Sequence, residues 1–246
     1  MTTKYKFDIN YQDNDSHRPI HYASMNGNIE IMEYLLSIGA KLNYEDNKYS
    51  VLLSAAFGGK INVYEWYKKK GYSLNEKNKK GDTPLLITSS TGNLDLIKWL
   101  LKNGSSVHEK NNNNVTSIIG ACNSGHFEVV KWLLENTDAN IHDFDKESEH
   151  TSFLISIYRN DLLLMKYLID KGANIYDMSI NEDNALLIAI YKGYNNIIDY
   201  LLSKGLTLNV KNKYKMGSLI TAVNGGHIKT VKKIVNLMKE YPDCNC

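Results

Sequence analysis

The residues able to do chemistry in this 246-residue chain are few, and their spacing serves none of the usual reactions. Histidines stand at 17, 21, 108, 126, 142, 150 and 227, scattered one or two per repeat and with no HExxH. Cys122 lies among small and apolar residues, where a buried thiol behaves as a small hydrophobe. Cys244-Asn245-Cys246 is a lone Cys-x-Cys, and a metal site there would need two further ligands. Phe57-Gly58-Gly59-Lys60 lacks the first glycine and the Ser/Thr of a phosphate-cradling loop. No catalytic residue, metal ligand or cofactor is therefore expected, and the chain does not read as an enzyme.

Composition narrows the partners. Lys+Arg total 29 against Asp+Glu 27, so the basic footprint of a nucleic-acid or anionic-membrane binder is missing. The first residues have no apolar signal region, and no run approaches the ~18 apolar residues of a membrane span. Three cysteines make no disulfide framework, which predicts a reducing, intracellular and cytoplasmic setting. The sequons at Asn14, Asn103 and Asn114 are then expected to stay unmodified. The expected partner is a protein, and a monomer is expected.

What must position any binding residue is an internal repeat. Small residues are followed four positions later by glycine or its substitute at Ala23/Gly27, Ala55/Gly59, Thr88/Gly92, Ala121/Gly125, Ser156/Asn160, Ala189/Gly193 and Ala222/Gly226. The first members are spaced 32, 33, 33, 35, 33 and 33 residues apart, the mark of a solenoid whose units bury their apolar faces against neighbours. Within one unit, Thr83 predicts an N-cap and Pro84 the first helical residue. Gly92 ends that helix, and Asn93 caps a second whose apolar face is Leu94, Ile97, Leu100 and Leu101.

These residues resemble the ankyrin repeat. Thr83-Pro84-Leu85, Gly125-His126, Gly226-His227, Gly39-Ala40-Lys41-Leu42-Asn43 and Gly172-Ala173-Asn174-Ile175 carry the resemblance, over roughly residues 14–241. It implies an all-α solenoid of about seven helix-turn-helix units joined by hairpin-like loops. The units fall near 14–44, 45–77, 78–110, 111–143, 144–178, 179–211 and 212–241, with residues 1–13 as an extension or partial cap and 242–246 as a tail. The array reads as complete, its last helix offering Lys229, Lys232, Lys233, Asn236 and Lys239 as a polar capping face. The family histidine, which supports hydrogen bonds between neighbouring units, survives only as His21. Leu53, Leu86, Ile119, Leu154, Leu187 and Ile220 replace it, so apolar stacking is expected instead. His126 and His227 match a helix-capping histidine. An extra residue in Asn136-Thr137-Asp138 makes the fourth-to-fifth junction the expected irregularity, and Asn160 is expected at positive φ.

The resemblance further implies binding through a concave face and hairpin tips. By position, Met25, Phe57, Tyr158, Arg159, Tyr191 and Lys192 would face that groove, with Tyr49, Lys80 and Tyr214 among the hairpin candidates. Aromatic and arginine side chains carry most energy at interfaces. The tips alternate in charge: Lys77, Lys79 and Lys80, then Asp143, Asp145, Glu147, Glu149, Asp177, Glu182 and Asp183, then Lys211, Lys213 and Lys215. Asn43, Asn75 and Asn209 match the family's hydroxylated hairpin asparagine, a slot that His108 and His142 also occupy; a side-chain hydrogen bond to the turn is the simpler role. The Asn-, Lys- and Ile-rich composition is similar to that of ankyrin-repeat proteins from AT-rich large DNA viruses of amoebae. That implies a host-directed adaptor or decoy in the host cytoplasm.

Overall fold

A computed structural model describes residues 8–43 and 50–240. Among them are fourteen helices in seven helix-turn-helix pairs. The pairs are α1 (Pro19–Met25) with α2 (Ile29–Ser37), α3 (Val51–Gly58) with α4 (Ile61–Lys69), and α5 (Pro84–Thr91) with α6 (Leu94–Lys102). Then come α7 (Ser117–Ser124) with α8 (Phe127–Asn136), α9 (Ser152–Tyr158) with α10 (Leu162–Asp170), α11 (Ala185–Lys192) with α12 (Asn195–Ser203), and α13 (Ser218–Gly225) with α14 (Ile228–Glu240). Isolated bridges Phe144/Thr151, Met178/Asn184 and Lys211/Gly217 pinch the hairpins, and the described residues hold no strand.

Local chemistry sets the helix starts. Ser50, Thr83, Thr151 and Asn184 accept from the backbone N–H three residues on at 3.2, 3.3, 3.5 and 2.9 Å, each such cap being worth about 1 kcal/mol. Asn28, Asn93 and Asp161 do the same for second helices. His126 occupies an N-cap place but its side chain makes no capping bond; α8 starts without one. His227 instead lies against Gly193, one repeat earlier. Gly92 and Asn160 take φ of +80° and +57° between paired helices, the conformation expected of both.

The first helix of each pair is apolar nearly all round, and Val51–Ala56 and Ala185–Ile190 are fully or almost fully buried. Second helices bury one face only, as Leu96, Ile97 and Leu100 do in α6. Backbone amides contribute a lateral stitch between hairpins: Asn112 donates to Lys80 O at 2.9 Å, Ile180 to Ser148 O at 3.0 Å and Lys213 to Asn181 O at 3.2 Å. His21 is buried and accepts from the Arg18 N–H at 2.9 Å, fastening the start of its own helix. Leu53, Leu154 and Leu187, in the same place, sit in the apolar core.

The chain divides into two compact units, residues 1–112 and 113–246. In the first, α3 packs between α1 and α5; in the second, α9 packs between α7 and α11, and α11 continues to α13. The division does not fall at the fourth-to-fifth junction that the extra residue singled out. There α8 runs on to Asn136, and Thr137 closes it in extended backbone, its N–H and hydroxyl both donating to Leu133 O. The insertion is absorbed at a helix end, and α7 still packs on α9.

One buried carboxyl is held against its solvation. Burial raises the Glu76 pKa above the usual carboxylate range, partly offset by the Ser50 side chain, and Oε2 has no partner among the described residues. Ionised Glu76 is thus disfavoured in the folded chain relative to the unfolded chain. Its effect is absent below the ordinary carboxylate range and destabilising as pH rises through that range towards the raised folded value. Glu76→Gln is expected to melt above the wild type at pH 7, with the difference shrinking towards pH 4, as followed by circular dichroism.

Candidate functional site

Within residues 113–246, a cleft of about 270 Å³ opens where α9, α11 and α13 meet their hairpins. Four residues that the repeat positions single out from the sequence line it together: Tyr158 at the end of α9, Tyr191 and Lys192 at the end of α11, and Tyr214 on the next hairpin. Its floor is Leu187 and Ile188 of α11, and its wall is Asn181, Asp183, Asn212 and Met216 from the hairpins, with Thr221 and Asn224 from α13.

The rings are held from beneath and beside. His150 stacks on Tyr158 with centroids 4.4 Å apart and planes at 32°. Burial lowers the His150 pKa, against the pull of Asp145 and Asp183, so the imidazole is neutral at pH 7. Burial also raises the Tyr158 pKa, with Asp183 adding to it, so the phenol stays a hydrogen-bond donor. Lys192 Nζ stands 5.7 Å from the Tyr158 ring and 5.9 Å from the Tyr191 ring. Such cation–π placement orders both rings and keeps a charge at the lip.

The hairpins supply the rigid polar wall. Asn212 donates to Asp183 at 2.8 Å, while its Oδ1 accepts from the Tyr214 and Met216 N–H groups at 3.0 and 3.1 Å. Lys213 Nζ donates to Ile180 O at 3.1 Å and lies 5.2 Å from the Tyr214 ring. Tyr214 is thereby presented outward on a fixed turn. The same turn device recurs: Asp13, Asn78, Asp145 and Ser179 each accept from two amide N–H groups of their own hairpin.

This corrects the assignment of turn bonding to the side chains of Asn75 and His142. Asn75, His108 and His142 give their backbone N–H to Ser73, Ser106 and Asn140, and all three are exposed; after Asn75 and His142 the residue that builds the turn comes three positions later, as Asn78 and Asp145. Asn43 and Asn209 are likewise exposed. The acidic band is also partly structural. Asp143 is buried and accepts from Asn140, Asp145 bridges its turn, Asp177 accepts from Asn174, and Asp183 accepts from Asn212. Glu147, Glu149 and Glu182 remain as exposed carboxylates of that stretch.

Other expected contact residues lie elsewhere. Arg159 does not line the cleft; its guanidinium reaches back to donate to Asn123 O at 2.6 Å and packs over Gly125. It therefore ties one repeat to the one before. Met25, Phe57 and Lys80 belong to the first unit, Met25 half-buried, Phe57 and Lys80 exposed. Tyr49 lies outside the described residues, as do Cys244 and Cys246. Cys122 is fully buried, and burial pushes its thiol up to about 12.

Sequence reasoning missed Asp183 and Asn212, whose pairing across 29 residues no local pattern announces. It also missed Met178 and Ile180, exposed apolar residues on the hairpin before Tyr214; two apolar side chains on a polar turn were the available signal. Among the described residues no cluster of His, Cys, Asp or Glu could hold a metal ion, and no helix is long and apolar enough to cross a membrane.

Stacked helix-turn-helix pairs with stitched hairpins and an aromatic cleft define a repeat module of the kind that recognises proteins. The chain matches the family model for ankyrin repeats in three copies, over residues 3–78, 52–145 and 150–246. It belongs to the ankyrin-repeat family, whose domains are typically non-catalytic and mediate protein–protein interaction. No curated protein sequence matches it.

Proposed function

We propose that this protein is a non-catalytic recognition scaffold or adaptor, and that a segment of its partner docks in the cleft of Tyr158, Tyr191 and Tyr214. The observation that carries the reading is the convergence of three tyrosines from three successive repeats on one cleft of about 270 Å³. Two of the rings are pre-ordered by His150 and Lys192. Pre-ordered aromatic side chains lose little rotamer freedom on binding, which is why they serve as anchors. The composition shared with ankyrin proteins of large DNA viruses of amoebae supports a host-directed role in the host cytoplasm.

Affinity capture from cell lysate with wild type and a Tyr158→Ala/Tyr191→Ala variant tests this. Each anchor is expected to contribute about 2 kcal/mol, so the double variant should bind its captured partner roughly 700-fold more weakly where the two add, and at least about 30-fold more weakly where they do not. Equal retention of that partner by both forms would move the interface off the cleft. A second reading has one observation in its favour: the Asn43, Asn75 and Asn209 side chains are exposed on their hairpins, open to an asparaginyl hydroxylase. Intact-peptide mass spectrometry of protein recovered from cells would show an added oxygen on those peptides if the chain is such a substrate.

A further inference from the structure

The repeat positions show what each unit offers to its neighbours, and the first and last described pairs leave half of that offer uncovered. On second helices, the position of Ile31 recurs as Val63, Leu96, Leu164 and Ile197, all fully buried, whereas Ile31 is 47% exposed. In the last repeat the same position is Thr230, which donates to Asn195 one repeat earlier at 3.3 Å. That bond fixes the direction: this position faces the preceding repeat. Ile31 thus belongs to a front face, together with Tyr34, which is 63% exposed.

The opposite face is open in the last pair. Ile220 and Val223 are 58% and 61% exposed, while Leu53, Leu154 and Leu187, and Ala56, Ile157 and Ile190, hold the same two places with at most 1% exposure. Ile228, which stands where Asn195 stands one repeat earlier, is 64% exposed. Among the described residues Gly226 meets no atom within 4 Å of its would-be Cβ, whereas Gly27, Gly59, Gly125 and Gly193 each meet a side chain of the following repeat. Two of the lysines expected to cap this end, Lys229 and Lys233, do not do so. Lys229, Lys233 and Asn236 line a stripe facing Asn195 and Asp199, and Lys233 pairs with Asp199.

The internal junctions also show what fits the two open faces. The position of Tyr34 repeatedly meets the residue that stands at the place of Lys232. Trp66 donates to Glu33 at 2.9 Å, Tyr167 donates to the Lys131 carbonyl at 3.4 Å, Lys166 Nζ lies 5.0 Å from the Tyr200 ring, and Lys233 pairs with Asp199. The members left unused among the described residues are an aromatic ring at the front, Tyr34, and an exposed ammonium at the back, Lys232. They reproduce the Lys166–Tyr200 pair. The Thr230–Asn195 junction likewise templates Ile31 against Ile228, apolar against apolar. Charge agrees: Glu30 edges the front face and Lys232 the back.

We propose that the back face of α13 and α14 in one copy receives the front face of α1 and α2 in a second copy, a head-to-tail contact that continues the repeat-on-repeat interface. It pairs Tyr34 with Lys232 and Ile31 with Ile228, and departs from the monomer expected from the sequence. Such a heterologous contact leaves one front and one back face free in every assembly that does not close into a ring.

Sedimentation velocity on the full chain, from about 1 to about 200 μM, tests it. The wild type should associate as concentration rises. Tyr34→Lys and Ile228→Asp each alter an exposed side chain on a second helix, so helical circular dichroism should match the wild type. Each alone should weaken association at least about 30-fold. Mixed one to one they should form a dimer and nothing larger, since one variant keeps its back face and the other its front. If the ion–ring pair is replaced by an ion pair, Lys232→Glu should likewise restore association with Tyr34→Lys. A wild type that stays monomeric throughout, as it would if residues 241–246 covered the back face, overturns the proposal. So does a Tyr34→Lys variant that associates alone, which would mean back-to-back pairing.

Discussion

Phe153→Ala is expected to lower the stability of the second unit by about 3–5 kcal/mol. Phe153 is the second residue of α9 and is fully buried, a ring where Leu52, Leu85, Ile118 and Leu186 stand in other repeats. Removing it deletes the transfer energy of the ring and leaves a cavity that helices fixed at their caps cannot fully close. The consequence spreads because α9 packs on α7, α10 and α11. In a repeat array, stability is approximately a sum of unit terms and nearest-neighbour terms, so one hole weakens two interfaces. Phe153→Leu should cost no more than about 1.5 kcal/mol, since it keeps most of the volume. Urea unfolding at unchanged m-value gives the size of the effect. Amide exchange gives its reach: protection should fall in α7 and α11 as well as α9. A loss of protection confined to α9 and α10 would mean that the interfaces do not share the ring.

How much of this was legible beforehand depends on how far apart the participants are in sequence. The caps at Thr83 and Asn93 and the positive φ at Asn160 were legible because donor, acceptor and backbone lie within four residues. The repeat period placed Tyr158, Tyr191, Lys192 and Tyr214 at equivalent-looking surface slots, and those four line one cleft. What a period cannot give is direction across repeats. Arg159 looked like a contact residue because arginine at an exposed slot is a common anchor; its guanidinium is committed to the Asn123 carbonyl 36 residues away. The hairpin slot at Asn75 looked like the turn-former, yet the residue with two amides in reach is Asn78. The lysines of α14 looked like a cap because their spacing makes a polar stripe. Only the neighbouring α12 shows that the stripe faces Asp199, leaving Ile220, Val223 and Ile228 at the open end.

Gly58→Ala is expected to be more costly than a helical position would suggest. Alanine is normally favoured over glycine within a helix by about 1 kcal/mol. Here a methyl carbon at the last residue of α3 would lie 1.8 Å from the Met25 carbonyl oxygen and 2.8 Å from its carbon. Both are backbone atoms, so no side chain can swing aside, and α1 and α3 must separate. Overpacking of this kind costs about 1–3 kcal/mol, and the backbone obstacle places Gly58→Ala at the upper end after the helix gain is subtracted. Gly225 is the same position in the last described pair, where an added methyl carbon would lie 2.2 Å from the Tyr191 carbonyl oxygen. The two variants should therefore differ in what they disturb. Both lower the denaturation midpoint, but Gly225→Ala also displaces the backbone that carries a cleft ring, so it alone should weaken retention of the cleft's partner. Gly226→Ala is the control: it has open space but φ of +74°, and its expected cost is left-handed backbone strain of about 1–2 kcal/mol. If Gly58→Ala unfolds no earlier than Gly226→Ala, close approach of the two helices is not what glycine provides at that junction.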